Sequence, residues 1–260
     1  MPFVPYLKIL NLKFLFLAKF PTMRTSFYLA GLLFFLMSCN PFNKTIQGNG
    51  NKATESRSAS PASKIDAAGS FSIQLIRGER PDLTVNADEN LLPYILTDFD
   101  GDKLKIYVRE GYSLRPSDKI SVVYTTNELS EIDVAGNCTV NGEGKFTGNN
   151  ALDIEMSGAG NVSLDVNYPE IKSEINGSGD IRLAGETRDS KIRIAGVGNY
   201  KAGDLKSENV RIDIAGSGDA TIYASENLEV SIAGTGNVEY YGNPQIKQNI
   251  AGSGKIKKVD

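Results

Sequence analysis

The phrase IAGSGD, Ile214 to Asp219, returns along the chain as IAGVGN from Ile194, IAGTGN from Ile232 and IAGSGK from Ile250. Aligned on the first glycine, the copies fall at Gly136, Gly158, Gly177, Gly196, Gly216, Gly234 and Gly252, in steps of 18 to 22 residues. A unit of this length cannot bury its apolar face alone, so such units stack into a solenoid. The flanking columns give the local structure. Two residues before the glycine stand Val134, Met156, Ile175, Ile194, Ile214, Ile232 and Ile250, and four after it Val140, Val162, Ile181, Tyr200, Ala220, Val238 and Ile256. Apolar residues alternating with polar ones on both sides of the phrase mean short strands with one face inward. The expectation is an all-β, parallel β-helix-like solenoid of about seven coils of 18–22 residues, preceded by an irregular N-terminal β-cap.

The phrase falls between two strands, where the chain must turn within three or four residues. Glycine accepts positive φ there, and the following Asn or Asp bonds its own backbone readily. The predicted structural corners are the pairs Gly158 and Gly160, Gly177 and Gly179, Gly196 and Gly198, Gly216 and Gly218, Gly234 and Gly236, and Gly252 and Gly254. Stacking would align Asn161, Asp180, Asn199, Asp219 and Asn237 in a ladder whose neutral members separate the charged ones. A dinucleotide fingerprint fails, because Arg182 occupies the third glycine position after Gly177 and Gly179 and no helical period follows. The calcium-binding repeat of secreted toxins has a nine-residue period, about half of this one.

The chain has no histidine or tryptophan and only two cysteines, Cys39 and Cys138. Histidine acid/base chemistry and cysteine/histidine zinc sites are thereby excluded, and neither cofactor nor metal is expected. Four of the 28 basic residues, Lys8, Lys13, Lys19 and Arg24, lie in the first 38 positions, which hold no acid; the remainder carries a net charge of −7. That argues against a nucleic-acid partner. The outward columns five and three residues before the glycines place Glu131, Asp133, Asp153, Glu155 and Glu174 on adjacent coils. They form either a binding face or an acid pair for glycoside hydrolysis. Further down, Glu174, Arg193 and Asp213 alternate in sign in one column, as do Asp153 and Lys172 in the other, as a solvated face would. Cys138 takes the place of a second corner glycine and is expected to be a small buried residue.

The stretch from Met23 to Met37 has a basic start and an apolar run that Asn40-Pro41 ends, the pattern of a secretory leader. Its end, LMSC, resembles the lipobox of bacterial lipoproteins. That resemblance implies lipidation of Cys39 and a membrane partner through the anchor. The expected organisation is a signal peptide over 1–38, with Met23 as an alternative start, and a lipidated cysteine and flexible polar tether over 39–63. A strand-rich β region over 64–130, either irregular first coils or a small cap, and the repeat solenoid over 131–260 follow.

Residues 64–130 carry alternating strands, FSIQL from Phe71, LKIYV from Leu104 and ISVVY from Ile120. The succession of FSIQL, VNADENLLPYI and GDKLKI, followed by serial IAGSGD phrases over about residues 65–256, resembles the head GIN domain family of auto-transporter adhesins common in Bacteroidetes. The resemblance implies a β-helix-like, all-β secreted or envelope-anchored protein and brings no catalytic residues; with the anchor, the expected location is the outer membrane, on its periplasmic face or at the cell surface. The function expected is a non-enzymatic binding module or adhesin recognising a glycan or an envelope protein. The alternatives are a glycan-active enzyme and a periplasmic structural or signalling module.

Overall fold

The computed structural model describes residues 43–259. The leader, Cys39 and residues 40–42 lie outside the described residues. Nine strands build the N-terminal part: β1 (Lys44–Gln47), β2 (Lys52–Arg57), β3 (Lys64–Gly69), β4 (Ser72–Arg77), β5 (Asp82–Asp88), β6 (Ile95–Asp100), β7 (Lys103–Val108), β8 (Tyr112–Arg115) and β9 (Ser121–Thr126). The repeats follow as β10 (Glu131–Gly136), β11 (Thr139–Thr147), β12 (Leu152–Gly158), β13 (Asn161–Gly177), β14 (Asp180–Gly196) and β15 (Asn199–Gly216). The last strands are β16 (Ala220–Gly234), β17 (Asn237–Tyr241), β18 (Gln245–Gly252) and β19 (Lys255–Lys258). The only helical element among the described residues is a single 3-10 turn, Leu92–Tyr94, with Pro93 inside it.

Each repeat is one coil of a parallel β-solenoid of about seven turns. β13 pairs with β14, β14 with β15 and β15 with β16 in parallel register along nearly their full lengths. The inward columns are those the alternation marks: Ile175, Ile194 and Ile232 on one side of the corner and Val140, Ile181 and Val238 on the other are buried. Apolar ladders of this kind stabilise by removing side-chain area from water, about 25 cal/mol per Å². One interior position departs from the pattern, where Tyr200 is wholly buried beside Ser173 and Ser190; burial raises its phenol pKa.

The glycines stack as a ladder of their own. Gly69, Gly136, Gly158, Gly177, Gly196, Gly216, Gly234 and Gly252 are register partners in succession. At each corner the amide after the glycine donates to the glycine carbonyl of the coil before: Ser178 to Gly158 at 2.8 Å, Val197 to Gly177 at 2.9 Å, Ser217 to Gly196 at 2.9 Å. A Cβ on Gly177 would strike the Gly158 oxygen that accepts this bond, and Gly177 has φ +145°. The second glycines are excluded from carrying a side chain by contact alone, since a Cβ on Gly198 or Gly218 would meet the carbonyl of the preceding second glycine. Cys138 occupies that column, 1% exposed, and burial raises its thiol pKa.

Two boundaries are set by the structure. First, the solenoid begins a coil before residue 131, as the reading of 64–130 as irregular first coils expects. β3 and β4 are already a coil, with β3 parallel to β10 and β4 parallel to β11. The segment between them and β10, together with β2, caps it: β7 extends the β3 face and β9 the β4 face in parallel, then β6, β5 and β2 close the sheet with antiparallel pairs. Ending parallel ladders on short antiparallel strands limits exposed edge. Second, residues 43–63 are not a flexible tether. β1 lies parallel to β8 and β2 antiparallel to β5. Strand pairing needs backbone groups rather than apolar side chains, and polar clasps fix the segment. Arg57 donates to the carbonyls of Ile95 at 2.7 Å and Leu92 at 3.1 Å. Asp88 accepts from Gly50 N at 3.0 Å and Ser117 N at 2.8 Å.

Candidate functional site

The outward residues of the strands before each corner form a shallow groove of about 430 Å³ lined by Glu131, Asp133, Asp153, Glu155, Glu174 and the cations that follow them. All five predicted carboxylates therefore share one surface. Parallel pairing dictates this: Glu131 stands beside Asp153, Asp133 beside Glu155, and Glu155 beside Glu174. Parallel strands are about 4.8 Å apart, so each carboxylate has a like charge one coil away.

One member was not predicted. Asp66 is the register partner of Asp133, which makes Asp66, Asp133, Glu155 and Glu174 four consecutive acids in one column. The signal was present in the sequence: IDAAGS from Ile65 matches IDVAGN from Ile132 at most positions, but the cap inserted between them hides the period.

The groove changes character along its length. At one end Glu131 is held by Lys103 at 2.9 Å and Asp153 by Lys172 at 3.2 Å. At the other, Arg211 bridges Asp213 at 3.1 Å and Glu229 at 3.0 Å, with Lys247 completing the chain to Glu229 at 2.9 Å. Between them Asp133 and Glu155 have no ion pair among the described residues. Burial and then the charge of Asp66 hold Asp133 above the usual carboxylate range, with Glu131 adding to the effect and Lys103 opposing it. Burial, followed by Asp133, Glu174 and Glu131, raises Glu155. Glu174 lies 3.9 Å from Arg193. The acids thus stand in a row on one sheet face rather than across a cleft from each other, where a glycosidic bond would be gripped from two sides.

The Asx ladder is realised as side-chain bonds. Asn199 Nδ2 donates to Asp180 Oδ1 at 2.8 Å, and the Asn237 amide to Asp219 Oδ1 at 2.8 Å. A second ladder, Asp189, Asn209 and Asn227, lies on the strands approaching the next corner; Asn209 donates to Asp189 at 2.9 Å and Asn227 to Asn209 at 2.7 Å. Its members recur seven residues before the glycines, a column the sequence reading passed over. These bonds consume the Asx oxygens within the fold and mark the ladders as structural.

Residues 62–244 match the family described as putative auto-transporter adhesin, head GIN domain. The chain belongs to that family. Among solved structures it is similar to one titled a putative lipid binding protein from Parabacteroides distasonis, with 30% identity, TM-score 0.71, and 84% of this chain and 100% of that one covered. It is also similar to a putative adhesin from Bacteroides fragilis, with 28% identity, TM-score 0.78, and coverage of 82% and 100%. A second Parabacteroides distasonis protein, titled a putative adhesin, shares the fold at 22% identity and TM-score 0.69, covering 83% of this chain and all of that one. No curated protein matches the sequence. The family and these relatives are named as adhesins or binding proteins, in line with an envelope or surface protein. Among the described residues no helix is long and apolar enough to cross a membrane.

Proposed function

We propose that this head GIN domain protein is a non-enzymatic cell-envelope adhesin or binding module, anchored through lipidated Cys39, that holds a glycan or protein partner against a solenoid face. The observation that carries the reading is the groove over the carboxylate column: an open surface repeated coil by coil, suited to an extended partner rather than to one reacting bond. The family name supports adhesion, and the lipobox-like LMSC ending five residues before β1 supports the anchor.

A second reading, glycan hydrolysis, draws on one feature, the raised pKa of Glu155 next to Glu174. The two separate in one experiment. The purified protein is incubated with envelope polysaccharide, and both retention and release of reducing ends are measured, with the Glu155→Gln/Glu174→Gln variant alongside. Retention without new reducing ends supports the binding module. Reducing ends that appear with the native protein and vanish in the double variant would refute it.

A further inference from the structure

A second groove, of about 790 Å³, lies on the strands that follow the glycine corner, toward the last coils. Its lining includes Arg182, Lys201, Lys206 and Lys258, with Asp204 the single acid among the lining residues. A positive surface on a chain whose remainder after the leader is net −7 runs against the background charge.

A bulge builds it. Pairing of β15 with β16 passes from Ala202 beside Ile222 directly to Lys206 beside Tyr223, so Gly203–Leu205 loop out of the ladder. The bulge brings Lys206 next to Tyr223, with its ammonium 4.1 Å from the ring centroid. It also leaves Gly203 under the ring of Tyr241, whose Cε2 would lie 3.0 Å from a Cβ at that position. Tyr223 and Tyr241 are register partners on successive coils, half-buried. Two aromatic side chains therefore recur at the coil spacing of about 4.8 Å. Beside them Arg182 is exposed and has no ion pair among the described residues, whereas Lys201 is committed to Asp180.

Tyrosine offers a flat apolar body with a polar tip, which suits the C–H face of a pyranose; a guanidinium fork suits a carboxylate or a sulfate. Resting on the binding-module reading but turning to this second groove, we propose that it binds an anionic sugar chain, with a sugar ring on Tyr241 and acid groups on Arg182 and on Lys206, whose ammonium Tyr223 holds in place. An acidic protein segment fits less well, because the groove lacks the deep apolar pocket that anchors most protein hot spots.

The test is affinity electrophoresis of the mature protein through gels containing polygalacturonate, dextran sulfate or neutral dextran. Retardation by at least one anionic polymer and not by dextran is expected. Arg182→Gln, with thermal unfolding unchanged, and Tyr223→Ala should each weaken it about tenfold. The tyrosine variant keeps the charge constant, so its loss separates a built site from diffuse attraction to lysines. No retardation by either anionic polymer, equal retardation by dextran, or variants that run like the native protein would overturn the proposal. Retardation removed by Glu155→Gln/Glu174→Gln but kept by Tyr223→Ala would also overturn it while leaving the binding-module reading intact. Capture of an acidic protein through Arg182 without any polysaccharide retardation would do the same.

Discussion

Replacing Gly177 by alanine tests why the corner phrase repeats. Gly177 has φ +145°, and a Cβ there would strike the Gly158 carbonyl oxygen, which accepts the Ser178 amide at 2.8 Å. Backbone strain of this kind costs about 1–3 kcal/mol. Pushing the coils apart strands an inter-coil hydrogen bond, a further loss of about 1–3 kcal/mol. The expected total is about 4 kcal/mol, and the stacked neighbours cannot compensate because each coil contacts only the next. Gly101 supplies the comparison. Its φ is +62°, but nothing lies within 4 Å of a Cβ there, so Gly101→Ala should cost only the left-handed penalty of about 1 kcal/mol. In urea unfolding followed by circular dichroism, Gly177→Ala should lower the midpoint by roughly 1.5 M, and Gly101→Ala by less than about 0.5 M. Equal shifts for the two variants would refute the reasoning, since they would mean that positive φ alone, and not coil stacking, requires the glycine.

Cys138 should resist alkylation by iodoacetamide at pH 8 in the folded protein and react fully in urea, because burial both shields its thiol and raises its pKa. Asp88→Ala should release the N-terminal strands: the amides of Gly50 and Ser117 lose their acceptor and should exchange with deuterium roughly tenfold faster or more, while the solenoid core is unaffected. The hydroxyl and then the amide of Ser117 lower the Asp88 pKa. A lowered carboxylate pKa contributes stability above its unfolded value that is lost as pH falls through the folded one, so protection of Gly50 in the native protein should fade only below about pH 4. NMR titration of the side-chain carboxyls should find Glu155 above the ordinary glutamate range, and Asp133→Asn should bring it down, since Asp133 is the largest charge acting on it after burial.

The coils were legible because their constraint is local and repeated. Glycine at the corner and an apolar residue two before it recur often enough to fix the period, the face directions and the five groove carboxylates. Where a long insertion interrupts the period, legibility fails. Asp66 and Gly69 belong to the same ladders as Asp133 and Gly136, yet the cap separates them in sequence, and only strand pairing brings them together. The segment 43–63 was misread for a different reason. Its polar composition describes what it cannot bury, whereas its order comes from backbone pairing with β5 and β8 and from the clasps of Arg57 and Asp88, which composition does not register. The bulge at Gly203 left only a trace, the 20-residue step from Gly196 to Gly216 among later steps of 18, and nothing in the sequence tied that step to the tyrosines of the following coils.

The most direct test of an adhesin is whether its folded body meets the outside of the cell. Intact cells would be treated with a membrane-impermeant amine-reactive biotin reagent, which reaches exposed lysines such as Lys247, Lys255 and Lys257, with a periplasmic protein as the internal control. The account predicts biotinylation of the solenoid lysines while the control stays unlabelled, and loss of the cell-associated signal in Cys39→Ala. Lysines that remain unlabelled until the outer membrane is opened would contradict adhesion.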